Sequence, residues 1–131
     1  MSAILSLLVL NPKLRRLRYY CAWSIYAAIL IMGSIPGARA ELGQYASGLV
    51  LHALAYAILT CLIFTGSNGN VRRRALGAIL TVTLMGACDE LIQNFFTYRG
   101  AAVSVWLVDC SAAIVIAALL WVTSPKTTPE P

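Results

Sequence analysis

Charge is what this chain has least of. Of its 131 residues 11% are charged, and Asp and Glu together number five. A soluble domain averages about 25% charged residues, so the chain cannot dress an ordinary water-facing surface. Histidine occurs once, as His52. The four cysteines, Cys21, Cys61, Cys88 and Cys110, fall in no CxxC or Cys/His spacing, which argues against zinc and against a dithiol pair. They read as small apolar packing residues. There is no Gly-rich phosphate loop and no Ser/His/Asp triad, and nothing in the pattern calls for a cofactor or a metal. No internal repeat or low-complexity segment is present.

Apolar residues make up 60% of the chain and gather into four runs. The runs are residues 19–36 (YYCAWSIYAAILIMGSIP), 45–65 (YASGLVLHALAYAILTCLIFT), 75–96 (ALGAILTVTLMGACDELIQNFF) and 102–122 (AVSVWLVDCSAAIVIAALLWV). About 20 mostly apolar residues cross the hydrocarbon of a bilayer. Each must be helical, because lipid offers backbone amides no partners. The expectation is an all-α membrane protein, an antiparallel bundle of four transmembrane helices over 19–122. Residues 1–18 form a cytoplasmic or interfacial segment, and 123–131 (TSPKTTPEP, from Thr123) read as a disordered tail. The connections are short, and the middle one, GSNGN at 66–70, carries turn residues.

Basic residues set the orientation. Lys13, Arg15, Arg16 and Arg18 precede the first run, Arg72, Arg73 and Arg74 follow the second, and Lys126 follows the fourth. The other side holds only Arg39 and Arg99. By the positive-inside rule both termini and the 66–74 loop face the cytoplasm, and loops 37–44 and 97–101 face outward. The net charge of +5 is then a topology signal with attraction to anionic lipid, not a nucleic-acid footprint. An alternative reads KLRRLR (13–18), the first run and Ala38-Arg39-Ala40 as a cleavable signal. The apolar preface MSAILSLLV suits that poorly.

The few polar residues inside the runs converge on one depth. His52 lies seven residues into the second run, about 10 Å below the outer surface at 1.5 Å per residue. Tyr56 follows one turn on. Glu90 lies six residues before the third run ends, with Gln93 and Asn94 at i+3 and i+4, and Asp109 lies seven residues into the fourth. Arg99 sits in the loop above them. An acid at the centre of a spanning helix costs on the order of 2.5–3.5 kcal/mol. Several at one depth are therefore expected to face each other and line a pocket open to the outer surface.

There, Glu90 and His52 would form an acid/base pair and Arg99 an anchor for phosphate or carboxylate. Two plainer readings stand beside this: groups near the interface can snorkel to water, and interhelical pairs can serve only as glue. Asp89 points about 100° from Glu90 and reads as a marker of the bundle interior. A metal held by His52, Glu90 and Asp109 has no spacing signature behind it. A conduit would need polar lining in the cytoplasmic halves, which hold no acid or base. Tyr19, Tyr20, Trp23, Phe95, Phe96, Tyr98, Trp106 and Trp121 fit an interfacial aromatic belt.

At His52-x-x-x-Tyr56 and Glu90-x-x-Gln93-x-Phe95-x-x-x-Arg99 the chain resembles the VanZ-like family of small bacterial membrane proteins. Ile35-Pro36 before the His helix is also typical. The resemblance covers roughly residues 19 to 122. Gly48 and Leu49 stand where the family often has Asp-Lys, Val105 where it has Asp, and Ala112 where it has Gly. The resemblance implies an inner-membrane protein acting on or binding cell-envelope material at the outer leaflet. A lipid or lipid-linked cell-wall intermediate is the implied partner. The family's type member is associated with low-level teicoplanin resistance.

Overall fold

A computed structural model describes residues 11–35, 48–95 and 103–124. Among these residues there are four α-helices, one short 3-10 turn and no strand. The turn, Pro12–Leu14, leads into α1, Arg15–Ser34; α2 spans Gly48–Gly66, α3 Val71–Gln93 and α4 Val103–Thr123. The outward loops, Arg39, Arg99, Phe96, Tyr98, Lys126, the Ala38-Arg39-Ala40 signal alternative, the nine-residue preface and most of the tail lie outside the described residues.

Three of the helices, α2, α3 and α4, are long and apolar enough to cross a membrane. By length and composition the chain therefore has helices suited to a membrane. Arg18, three tyrosines, Trp23 and two serines dilute the apolar character of α1, and it is not among the three.

Sequence chemistry sets the ends of these helices. Asn11 accepts a hydrogen bond from the Lys13 amide at 2.9 Å, ahead of Pro12 at the first position of the turn. Asn70 caps α3 by accepting from the Arg73 amide at 2.8 Å. Just before it, Gly69 takes φ 108°, a left-handed backbone that glycine adopts without a Cβ penalty. Hydroxyls within the helices bond back to carbonyls four residues earlier: Thr60 to Tyr56, Thr65 to Cys61 and Ser111 to Leu107, each at 2.7 Å. Such bonds let polar side chains sit in apolar helices without seeking water.

Successive helices run in alternating directions. Helix α2 is the hub, packed against α1, α3 and α4, and α3 packs along α4. The core is Ala22 and Tyr26 from α1; Tyr56, Leu59, Ile63 and Phe64 from α2; Ala75, Ala78, Val82 and Met85 from α3; and Ala113 and Ala117 from α4. Of the small residues on α4, Ala113 and Ala117 face inward, while Ser111 and Ala118 are exposed. Alanine one turn apart lets helix backbones come close. Helices α1 and α2 approach closely at Gly66, where a Cβ would lie 2.8 Å from the Tyr19 amide nitrogen. Leu54, Ile58, Leu80, Leu84, Ile114, Leu119 and Val122 stand exposed on the outside. A soluble monomer seldom shows so continuous an apolar surface; a lipid-facing one must.

At the Arg15 end of α1, Arg18 turns inward and donates to the carbonyls of Asn11 at 3.1 Å and Thr65 at 3.0 Å. Arg74 donates from Nε to the Phe64 carbonyl at 3.0 Å and lies over the Phe64 ring at 4.7 Å.

Candidate functional site

The described acids all gather at the other end, where α2 and α4 begin and α3 closes. On α3, Ala75, Ala78, Val82, Met85 and Asp89 follow one another at steps of three and four, which is one helical stripe. All are buried against the neighbouring helices. Asp89 continues this core stripe and is 1% exposed. Its Oδ2 accepts a hydrogen bond from the Tyr56 hydroxyl of α2 at 3.3 Å, and its Oδ1 accepts from Gln93 Nε2, one turn on, at 2.8 Å. The residue the sequence sets aside as an interior marker thus anchors two of the expected site residues. Its signal was the stripe itself, with Gln93 at i+4 from Asp89 as well as i+3 from Glu90.

Asp109 of α4 is fully buried and lies 3.0 Å, through Oδ1, from His52 Nδ1 of α2. This pairing joins α2 to α4 as Tyr56–Asp89 joins α2 to α3. The His52 and Tyr56 rings stack, with centroids 5.7 Å apart and planes 5° from parallel. The two interhelical pairs therefore stand side by side as one layer. Asp109 Oδ2 is buried with no hydrogen-bond partner among the described residues. It lies at the tight α3–α4 crossing, where a Cβ on Gly86 would come 3.2 Å from it and 3.2 Å from Trp106. Trp106, expected in the aromatic belt, donates its indole N–H to the Thr83 carbonyl at 3.0 Å and ties α4 to α3.

Glu90 is also buried at this end, 8% exposed. The structure thus brings His52, Tyr56, Asp89, Glu90, Gln93 and Asp109 to one end of the bundle. Asn94 is exposed, and Arg99 lies outside the described residues. Among the described residues His52 is the basic side chain here, since Lys13 and every described arginine occupy the opposite end.

Among the described residues no group of three or more His, Cys, Asp or Glu is arranged to hold a metal ion. The cysteines are unpaired, with Cys88 exposed and Cys21, Cys61 and Cys110 half-buried on separate helices. No family model, curated protein or solved structure matches the chain.

Proposed function

We propose that the chain is a four-span, VanZ-like protein of the bacterial inner membrane. In this reading both termini are cytoplasmic, and an outward polar pocket binds or processes a lipid or lipid-linked cell-envelope intermediate. Helix α1 supports the fourth span. At 20 residues it is about 30 Å long, it packs along α2, and its Tyr26 hydroxyl bonds the Met85 carbonyl of α3 at 2.9 Å.

The observation that carries the functional reading is the pair of buried carboxylates, Asp89 and Asp109, on facing helices with Glu90 beside them. The helices are already joined by an apolar core and by the Tyr26 and Trp106 bonds. Three more acids, each costing on the order of 2.5–3.5 kcal/mol in a membrane, exceed what holding helices together requires. Glu90 and His52 would handle the proton, with Asp109 orienting the imidazole. Asp89 would hold Tyr56 and Gln93 toward the ligand, and Arg99 would anchor its anionic group.

A second, non-enzymatic reading has its own support: Tyr56–Asp89 and His52–Asp109 both cross between helices. In it the cluster is structural and the protein is an envelope assembly partner.

Teicoplanin susceptibility separates the two. A Gram-positive host lacking any such protein receives wild type, Glu90→Gln, Asp89→Asn or empty vector, with membrane levels followed by a tag. The site reading expects protection from wild type and none from Glu90→Gln at equal level. Equal protection by both would sink the proton-handling role. Loss that tracks a fall in protein level would favour the structural reading. No protection by wild type would remove the link to teicoplanin.

A further inference from the structure

The end of the bundle opposite the acids carries a second polar site. A cavity of about 620 Å³ opens there between the start of α1, the α2–α3 connection and the first turns of α3. That volume falls within the range typical of ligand sites, about 300–1,000 Å³. Its wall includes Arg15, Arg16 and Arg73, with Tyr19, Tyr20 and Asn68. The basic residues here divide into two sets. Arg18 and Arg74 are committed to main-chain carbonyls and do not line the cavity. The three lining arginines meet no acid among the described residues, because Asp89, Glu90 and Asp109 are all at the far end.

Arg15 gives one amino group to Asn68 Oδ1 at 2.7 Å, while its Nε is buried with no acceptor among the described residues. Several like charges around one hollow, with a buried donor lacking an acceptor, are relieved by an anion in that hollow. Guanidinium forks match the paired oxygens of a phosphate. Tyrosines at a span end mark headgroup depth.

We propose that this cavity binds a phosphate group, that of an anionic phospholipid headgroup seated between α1 and α3. The site is separate from the acidic cluster and does not depend on its role.

The test uses purified full-length protein in nanodiscs of phosphatidylcholine alone or doped with phosphatidylglycerol, with retained lipid read by native mass spectrometry. Arg16→Gln with Arg73→Gln removes two exposed cavity arginines. Lys13→Gln with Arg72→Gln removes the same charge from exposed neighbours outside the wall. The cavity pair is expected to cut retained phosphatidylglycerol about tenfold or more, and the control pair less than about twofold.

Equal losses from both pairs would overturn the site in favour of diffuse attraction. Absence of phosphatidylglycerol retention by wild type would overturn it outright. A parallel arm adds inorganic phosphate to protein in phosphatidylcholine alone and follows the unfolding temperature. A rise abolished by the cavity pair, with lipid retention unchanged, would assign the cavity to soluble phosphate and overturn the lipid.

Discussion

Replacing Asp89 with alanine is expected to lower the unfolding temperature in detergent, because the Tyr56 hydroxyl and the Gln93 amide then lose their shared acceptor. A buried donor left without a partner costs about 1–3 kcal/mol. Asp89→Asn keeps one oxygen and the shape, so it should lie much closer to wild type. An equal fall in both would mean the carboxylate charge, not the bond network, holds that layer. Asp89 also marks the limit of reading polar residues by their spacing from one another. His52, Glu90, Gln93 and Asp109 were legible because acids and imidazole are expensive in lipid and share a depth. Asp89 became visible only through the alanine and valine stripe beneath it. The His52–Asp109 partnership could not be read at all, since it depends on which helix lies next to α2.

At the scale of the element, the apolar runs gave each helix to within a few residues, and the differences have local causes. The third run begins at Ala75, but α3 begins at Val71, because the Asn70 cap sets where the backbone turns helical, while hydropathy marks only where arginine stops. Likewise α1 starts at Arg15, after the Pro12 turn, within the segment expected to precede the first span. Close approach of helices was not legible from glycine alone. Gly66→Ala drives a methyl into the Tyr19 backbone, 2.8 Å away, and such overpacking costs typically about 1–3 kcal/mol. Gly77→Ala meets nothing within 4 Å, and alanine in a helix interior is favoured over glycine by roughly 0.5–1 kcal/mol. Opposite shifts in unfolding temperature are therefore expected from two chemically identical substitutions. Shifts of the same sign would show that the α1–α2 contact is looser than described.

For the whole molecule, the proposed topology places the Arg15–Arg18 and Arg72–Arg74 clusters on the cytoplasmic side and the acidic cluster near the outer face. Alkaline phosphatase fused at either terminus is then expected to stay inactive, and a fusion within residues 37–44 to be active. Activity at only one terminus would mean an odd number of spans, and would return α1 to the membrane surface. The all-helical build and the membrane segments were legible because lipid permits so few solutions. The order of packing around α2 was not, because helices that are apolar on every side carry little record of which face meets which neighbour.

Among the described residues, the separation of acids from arginines gives the bundle a lengthwise electrical polarity. Across an energised membrane, inside negative, each elementary charge is worth about 2.3 kcal/mol per 100 mV. A copy inserted the proposed way round rests with its arginines on the side the voltage prefers, and an inverted copy must hold them against it. The membrane voltage would then favour the proposed orientation over its inverse while the helices insert.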